Sequence, residues 1–327
     1  MVKWYEIILL FISLFSIELI YFRIAKNYNI IDRPNHRSSH TKVTIRGGGI
    51  VFSIAILLAT ITQGLSEIYF VLGLFLISLI SFIDDLSPLS NRIRIIFHVI
   101  AVALLFYQLN LYHLSLSVVL LAFIFVIGTL NAINFMDGIN GITGGYGLIA
   151  LCSLWFLNRQ FAFTTSSYLL AAAVGVVVFC FFNFRKKAKC FAGDVGSLSL
   201  AFIILYFVLL VVIYTQNIKY ILLLFVYGVD TITTILLRLW RRENIFKAHR
   251  SHFYQFLANE KQIPHLMVAL LYMITQALVN IIIITANISN LLRFILYIVA
   301  GVVIFVLLRL KVEGRERLFK KAGTINN

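Results

Sequence analysis

The sequence predicts an all-α membrane protein, a polytopic bundle of about eleven transmembrane helices, on three observations. Of the 327 residues, 61% are apolar and the mean hydropathy is +0.95, whereas soluble domains are about 45–50% apolar. The apolar residues are gathered in long runs, and the basic residues lie between the runs. Such a chain has to expose many apolar side chains to lipid, so we expect one integral-membrane domain over residues 1–327.

Eleven apolar runs carry the prediction of the spans. A hydrocarbon core of about 30 Å needs about 20 residues of helix, with a range of roughly 17–25. We expect spans at 5–25, 48–64, 67–83, 95–111, 114–130, 144–158, 168–184, 197–215, 220–239, 266–286 and 291–308. The first run is long, Asp and Pro follow it, and no small-residue cleavage site ends it, so we expect it to be retained.

The distribution of Lys and Arg predicts the orientation. With the amino terminus outside, the inner segments hold 24 of the 28 Lys and Arg residues, and the outer ones hold only Lys3, Arg159, Lys219 and Arg293. By the positive-inside rule we expect the carboxyl terminus in the cytoplasm. The formal net charge of +15 is therefore a topology signal, and no nucleic acid is expected as a partner. The three cysteines show no C-x-x-C spacing, so neither a disulfide framework nor a metal cluster is expected.

The aspartates are an independent observation, because the orientation uses only Lys and Arg. The six are Asp32, Asp84, Asp85, Asp137, Asp194 and Asp230. All but Asp230 fall in the inner segments, and Asp230 lies within the ninth run, where we expect it to face the bundle interior. Ionisable groups near a bilayer core are costly and usually functional. We therefore expect a functional site at the inner face.

The pair Asp84-Asp85 closes the third run. Adjacent carboxylates repel, and they are tolerated where a cation or a shared proton relieves the repulsion. Arg92 and Arg94 follow closely and could face the same site. The alternative is a solvated loop end.

Asn131, Asn134 and Asp137 close the fifth run. Their spacing of three puts them on one helix face if the helix continues, and two amides with a carboxylate are unusual on an apolar surface. The glycine-rich residues 138–145 that follow could bring backbone N–H groups close to a phosphate. The alternative is a polar turn with glycine caps.

Two more polar segments lie on the same predicted face. Asp194 stands between glycines, where it could serve as an oxygen ligand for Mg²⁺ or cap a helix. Arg46 precedes the triplet Gly47-Gly48-Gly49, which suits anion binding, or it belongs to a flexible loop with topogenic charge.

The segment His249-Arg250-Ser251-His252 could form a cationic or donor-rich patch suited to phosphates. The alternative is an ordinary basic inner loop, and zinc has little support because Cys190 is the only inner cysteine. Taken together, the polar segments suit a metal-assisted reaction on a phosphorylated substrate.

The order of these motifs resembles that of the polyprenyl-phosphate N-acetylhexosamine-1-phosphate transferases, glycosyltransferase family 4. The motifs are Asp84-Asp85, Asn131-x-x-Asn134-x-x-Asp137-Gly, Gly193-Asp194-x-Gly-Ser197 and His249-x-x-His252. The resemblance extends from Asp32-Arg-Pro-Asn35 to the His loop. Each motif alone is weak, but four in order on one membrane face are specific.

The resemblance implies ten or eleven helices with a cytoplasmic site in the bacterial inner membrane, and a homodimer is plausible. It implies transfer of a sugar 1-phosphate from a UDP-N-acetyl sugar to undecaprenyl phosphate, with release of UMP. Mg²⁺ would be the cofactor, with Mn²⁺ as a substitute. The metal ligands would be Asp194 and Asn134. Asp84 and Asp85, with Arg94 at a basic family position, would be catalytic, and we expect Asp85 to keep the lipid phosphate deprotonated. The substrate-binding residues would be Arg46, Asn131, Asp137, His249, Arg250 and His252.

The His-Arg-Ser-His sequence replaces the run of three histidines that is usual in the muramoyl-pentapeptide enzymes. With Arg37-Ser-Ser-His40 and the glycine triplet, it resembles the branch that initiates O-antigen or capsule synthesis with UDP-GlcNAc or a UDP 6-deoxy-N-acetyl sugar. Peptidoglycan lipid I synthesis is the alternative. A transporter or scramblase is disfavoured because the acids cluster at one face and no repeat is seen, and a non-catalytic scaffold remains a third hypothesis.

Overall fold

The computed structural model describes residues 3–34, 39, 42–245, 249–286, 288 and 290–319, and these form a bundle of α-helices. The helices are α1 (Trp4–Asn27), α2 (Ile50–Gln63), α3 (Ile68–Leu86), α4 (Asn91–Gln108), α5 (Leu116–Phe135), α6 (Ile142–Phe161), α7 (Ser166–Asn183), α8 (Gly193–Thr215), α9 (Phe225–Trp240), α10 (Phe253–Asn259), α11 (His265–Thr285), α12 (Leu291–Glu313) and α13 (Arg315–Phe319). Two 3₁₀ turns lie at Leu111–His113 and Ile218–Leu224.

A helix lies on each of the eleven predicted apolar runs, which confirms the polytopic all-α class. Among the described residues, nine segments are long and apolar enough to cross a membrane, with the second 3₁₀ turn and α9 counted as one. The other two are α2 and α6. Helix α2 has 14 residues, which at 1.5 Å per residue extend only about 21 Å. Helix α6 carries polar residues at its ends, including Thr143, Asn158 and Arg159. The orientation of the termini stays a prediction.

Helix α8 runs through the centre of the bundle, since 83% of its 18-residue apolar stretch is buried. Small residues let its neighbours approach closely: a side chain on Gly49 would overlap the backbone of Gly196. The hydroxyl of Ser78 in α3 lies 2.6 Å from that of Ser53 in α2 and 2.9 Å from that of Ser199 in α8. Small and hydroxyl-bearing residues are typical of close helix contacts in membranes. These contacts fix the beginning of α8 against α2 and α3.

Two short strands, β1 (Ile31–Asp32) and β2 (Thr44–Ile45), fold the chain between α1 and α2 onto the beginning of α8. The strands are antiparallel, with Ile31 opposite Ile45. Ile45 also forms a parallel bridge with Cys190. Within the described ranges this sheet is the one departure from an all-helical fold. It brings the residue after β2 beside the first turn of α8.

The ninth span changes from a 3₁₀ turn to an α-helix, which leaves backbone groups without regular partners. Gln276 of α11 supplies those partners. Its Oε1 accepts from the Val226 N–H at 2.8 Å, and its Nε2 donates to the Leu222 carbonyl at 3.3 Å. The hydroxyl of Tyr146 donates to the same Oε1 at 2.7 Å. One glutamine in an apolar helix therefore supplies hydrogen-bond partners for two backbone groups where the 3₁₀ turn meets the α-helix.

We expect Gln276→Leu to lower the free energy of unfolding by about 2 kcal/mol or more, since each buried polar group left unpaired costs about 1–3 kcal/mol. The measurement is the thermal unfolding midpoint in detergent. Thr285→Val is the control, because within the described part of the chain that hydroxyl bonds only to carbonyls of its own helix. Equal midpoints for both variants would contradict the role of Gln276.

Candidate functional site

The paired aspartates of α3 lie at the beginning of α8. The side chain of Asp85 is fully buried and accepts from the backbone N–H groups of Asp194 at 2.9 Å and Val195 at 3.0 Å. The first amides of a helix have no partner within it and carry a partial positive charge. Asp85 therefore caps α8 from another helix, and the cap is not Asp194 itself.

Gly193 permits this contact. Its φ of +71° lies in the left-handed region, where an L residue costs roughly 1–2 kcal/mol. A side chain at this position would also overlap the carboxylate of Asp85. The glycine before Asp194 thus serves the close approach of α3 to α8.

Arg46 reaches the same carboxylate from the segment after β2. Its Nε lies 2.7 Å from Asp85 Oδ1, and its Nη2 lies 3.6 Å from Asp194 Oδ1. The hydroxyl of Tyr21 in α1 donates to the Arg46 carbonyl at 2.6 Å and fixes the backbone there. Burial lowers the pKa of Arg46, but the carboxylates of Asp85 and Asp194 outweigh it and raise that pKa above its usual value. Arg46 is therefore a permanent cation between two acids.

The glycine triplet next to Arg46 has a packing role. The N–H groups of Gly48 and Gly49 donate to the carbonyls of Phe191 and Ala192 at 2.9 and 3.1 Å. A side chain on Gly48 would overlap Cys190. These two amides are engaged within the protein, so they are not free for the anion that the sequence suggested.

Arg94 of α4 bridges the remaining carboxylates. Its Nη1 lies 3.2 Å from Asp84 Oδ2, and its Nη2 lies 3.3 Å from Asp194 Oδ2. Asp84 also accepts from the Leu89 N–H at 2.6 Å. The predicted residues Asp84, Asp85, Asp194, Arg46 and Arg94 therefore meet at the ends of α3, α4 and α8. When all are ionised this acid–arginine cluster holds one negative charge in excess, and such an excess attracts a cation.

A cavity of about 230 Å³ opens beside the acid–arginine cluster. Four of the predicted residues line it, namely Arg46, Asn134, Asp137 and Asp194. The amide of Asn134 donates to Asp194 Oδ1 at 3.2 Å and to the Ser197 hydroxyl at 2.9 Å. The other polar lining residues are Asp32, Ser39, Asn140, Asn183, Gln255 and His265.

Helix α5 ends at Phe135, so the expected single face of Asn131, Asn134 and Asp137 holds only for the two asparagines. Asn131 lies one turn before Asn134, donates to the Ile127 carbonyl at 2.8 Å and is not among the residues that line the cavity. Asp137 reaches the cavity from the following turn.

Asp137 has a strongly perturbed acidity. Burial raises its pKa to about 6, and the charges of Asp194 and Asp32 act in the same direction. The Thr143 hydroxyl, which donates to Asp137 at 2.6 Å, and the charge of Arg46 lower it. Asp137 therefore changes its charge near pH 6.

The histidine loop lies beside the cavity without lining it. His249, Arg250 and His252 are not among the lining residues. His252 is buried, with its Nδ1 3.6 Å from Asp230 Oδ1 and its ring 6.4 Å from that of Phe135. Their role in substrate binding stays a prediction. Arg37 and His40, which supported the choice of family branch, lie outside the described residues.

His249 is uncharged at neutral pH. Burial, together with the nearby His252, Arg238 and Arg241, lowers its pKa to about 3 against the opposing charge of Asp230. Of the predicted patch, His249 can therefore offer a neutral ring, and Arg250, which is exposed, carries the positive charge.

Sequence reasoning missed several residues that line the cavity or are buried nearby in sequence-distant helices. Asn183 accepts from the Gly141 N–H and donates to the Cys190 carbonyl, both at 2.8 Å, and so ties two loops together. Glu18 is buried in α1 with the thiol of Cys190 at 3.7 Å, and an acid inside an apolar run was a usable signal for it. No local pattern identifies Gln255 or His265, because packing between distant segments brings them to the cavity.

Comparison with known proteins supports the resemblance that the motifs indicate. The profile of glycosyl transferase family 4 matches residues 67–213. The chain is therefore similar to glycosyl transferase family 4 over a segment that makes up just under half of its length. The matched segment runs from α3 to α8 and contains the paired aspartates, Arg94, Asn134 and Asp194, whereas Arg46 and the histidine loop lie outside it.

Transferases from several organisms are similar to this chain. A Bacillus subtilis protein named "Probable undecaprenyl-phosphate N-acetylglucosaminyl 1-phosphate transferase" is 25% identical over 260 residues, 72% of this chain and 71% of that protein. The phospho-N-acetylmuramoyl-pentapeptide-transferase of Thermotoga neapolitana is 26% identical over 239 residues, 66% of this chain and 76% of that protein. The corresponding Dictyoglomus thermophilum transferase is 30% identical over 173 residues, 47% of this chain and 55% of that protein.

We expect Gly193→Ala to lower the thermal unfolding midpoint in detergent, because the added methyl meets the Asp85 carboxylate and the left-handed backbone costs about 1–2 kcal/mol. Gly128→Ala is the matched control: Gly128 lies in the interior of α5 and the added methyl meets no atom of the described residues within 4 Å, so the gain in helix propensity should keep or raise the midpoint. Similar behaviour of both variants would argue against the close contact at Gly193.

Proposed function

We propose that this protein transfers an N-acetylated sugar 1-phosphate from a UDP-sugar to undecaprenyl phosphate, giving undecaprenyl-diphosphate-sugar and UMP. The observation that carries the proposal is the acid–arginine cluster beside a polar cavity at one end of a membrane bundle. That arrangement supplies charged groups for two phosphates at a depth that a membrane lipid can reach. The names of the two kinds of relative support the same reaction class.

The main electrostatic task is to bring two anionic substrates together. Arg46 and Arg94 provide fixed guanidinium groups, which suit bidentate contact with phosphate oxygens. Each lies between two carboxylates, so it is oriented before substrate arrives. Preorganised charge of this kind lowers the energy of a transition state in which negative charge accumulates.

The donor set at Asp194 fits Mg²⁺ in its chemistry. Mg²⁺ usually takes one or two carboxylates together with water and substrate phosphates, and it does not need a cage of protein ligands. Among the described residues, no three His, Cys, Asp or Glu side chains form a ready metal site, and Asp194 offers a carboxylate beside the amide of Asn134. Asp194 and Asn134 would hold the ion, which would polarise the diphosphate when bound.

The contacts of Asp85 favour a positioning role over the role of a base. Both of its oxygens are bound, one by Arg46 and the Asp194 N–H and the other by the Val195 N–H. In the reaction that we favour, an oxygen of the lipid phosphate attacks the β-phosphorus and the bond to UMP breaks in the same displacement. A covalent aspartyl intermediate is the alternative.

The sugar and the pathway belong to the same proposal. The His-Arg-Ser-His sequence favours UDP-GlcNAc or a UDP 6-deoxy-N-acetyl sugar, used in the first membrane step of O-antigen, capsule or a related polysaccharide. The pentapeptide transferases among the relatives favour UDP-N-acetylmuramoyl-pentapeptide as a second candidate donor. In either case the positive-inside distribution of charge supports a multi-pass protein of the inner membrane with the cavity facing the cytoplasm.

The decisive experiment measures UMP release by the purified protein in detergent with undecaprenyl phosphate, Mg²⁺ and a panel of UDP-sugars that includes the muramoyl-pentapeptide donor. We expect release with one donor and its loss on addition of EDTA. Release that persists in EDTA would contradict the metal requirement, and no release with any donor would count against the transferase function.

Asp84→Asn and Asp194→Asn should each reduce UMP release by at least about 10²-fold, because either change removes one of the two carboxylates that orient Arg94 and so weakens the preorganised charge of the site. Glu316→Gln is the control, since that residue is exposed at the start of α13 and should leave the rate unchanged. Wild-type rates of UMP release in both aspartate variants would contradict the site assignment.

The acidity of Asp137 predicts a pH profile. If the ionised carboxylate contacts the donor, kcat/KM should fall as the pH drops through about 6, where Asp137 takes up a proton. The Thr143 hydroxyl stabilises the ionised form, so Thr143→Val should raise the pKa and shift the acid limb to higher pH. Asp137→Asn should abolish that limb, and a limb that persists unchanged in both variants would assign it to another group.

A further inference from the structure

A second buried carboxylate organises α10, the helix that supplies Gln255 to the cavity lining. Asp230 of α9 has no exposed surface, which confirms that it faces the bundle interior. It accepts from the N–H groups of Phe253 and Tyr254 at 2.9 and 3.4 Å. It also accepts from the hydroxyls of Tyr272 and Thr234 at 2.6 and 3.2 Å. Four donors from three helices therefore meet on one side chain.

The two backbone donors open α10. The first amides of a helix have no partner within it, and His252, at the position before α10, makes no side-chain cap. Asp230 provides the missing acceptor from a different helix, with His252 Nδ1 3.6 Å away. The place where α10 begins is thus set by α9 rather than by the sequence of the loop.

Helix α10 in turn reaches the cavity. The hydroxyl of Tyr254 donates at 3.0 Å to the carbonyl of Phe135, the last residue of α5. The same hydroxyl leaves no room for a side chain on Gly138. The next residue, Gln255, lines the cavity. A shift of α10 would therefore move Gln255 and disturb the end of α5 that carries Asn134.

Arg309 holds the loop from its other side. Its Nη1 lies 3.9 Å from Asp230 Oδ1 and donates to the hydroxyls of Thr233 and Thr234 at 3.2 and 2.9 Å. Its Nη2 donates to the Ser251 carbonyl at 3.1 Å. Only 6% of the 18-residue apolar stretch of α12 is buried. The buried Arg309 is therefore a principal contact between α12 and the rest of the bundle.

We propose that Asp230 is a positioning residue, whose carboxylate fixes α10 and, through Tyr254 and Gln255, the wall of the cavity at Asn134. Asp230 touches no substrate itself. Its kinetic consequence rests on the proposed transferase function, in which this wall meets the nucleotide sugar, but its structural consequence does not.

Asp230→Asn is the sharpest variant, because it keeps the size of the side chain and replaces an acceptor oxygen with an amide donor that faces other donors. Thr231→Val is the matched control: Thr231 is the next residue, is also buried, and its hydroxyl has no hydrogen-bond partner among the described residues. Tyr254→Phe removes the link to α5 alone.

The first measurement needs no activity. Hydrogen–deuterium exchange of the purified protein in detergent should become about tenfold faster over residues 251–259 in Asp230→Asn, the factor that a loss of about 1.4 kcal/mol gives. Exchange there should stay at the wild-type rate in Thr231→Val. Wild-type exchange in Asp230→Asn would overturn the proposal whatever reaction the protein performs.

The second measurement is steady-state UMP release with each substrate varied in turn. Asp230→Asn should raise the KM for the UDP-sugar by about fivefold or more and leave the KM for undecaprenyl phosphate unchanged. Since Asp230 acts through Tyr254, the fold-loss of kcat/KM for the UDP-sugar in the double variant Asp230→Asn with Tyr254→Phe should be smaller than the product of the two single-variant losses. Independent losses, or a lower active fraction with both KM values unchanged, would reduce Asp230 to a merely structural residue and overturn the proposal.

A wild-type protein that releases no UMP with any donor would overturn the proposed function alone, and hydrogen–deuterium exchange would then decide the role of Asp230.

Discussion

The contact between Asp85 and the beginning of α8 is the constraint on which the rest of the site depends. Asp85 accepts from two amides of α8 and pairs with Arg46. Without it, the amides lose their acceptor and Arg46 keeps only the longer contact to Asp194. An uncompensated buried charge costs several kcal/mol, so these groups adopt their positions together. The left-handed backbone of Gly193 is a consequence of the same contact.

The bundle keeps its polar chemistry at one end because its middle has to satisfy every backbone group without water. Helix α8 is largely apolar along its buried length: the Ser199 hydroxyl bonds to the Ser78 hydroxyl and to the Val195 carbonyl, and the Tyr206 hydroxyl donates to Glu67. Where the ninth span breaks, Gln276 supplies the missing partners from α11. The acid–arginine cluster lies where α3, α4 and α8 end or begin, since there a carboxylate can meet free amides and a cation at once.

The sequence predicted the spans and the grouping of the acids well, because both follow from local composition. Hydropathy places the helices, and the order of motifs brings Asp84, Asp85, Arg94 and Asp194 together. The spacing of three between Asn134 and Asp137 was a poorer guide, because α5 stops at Phe135, where the hydroxyl of Tyr254 occupies the space beside Gly138. That contact joins segments more than a hundred residues apart, and no local periodicity encodes it.

Asp85 and Asp230 use one physical device at two places. Each is a buried carboxylate on one helix that accepts the first amides of another, α8 in one case and α10 in the other. Apolar helix surfaces in a membrane gain little from one register over another, because lipid solvates them as well as a neighbouring helix does. A carboxylate is different, since a slide of about 1.5 Å, one residue of helix, would break its bonds to both amides. The two caps therefore fix the depth at which α8 presents Asp194 and α10 presents Gln255, so that both face one cavity.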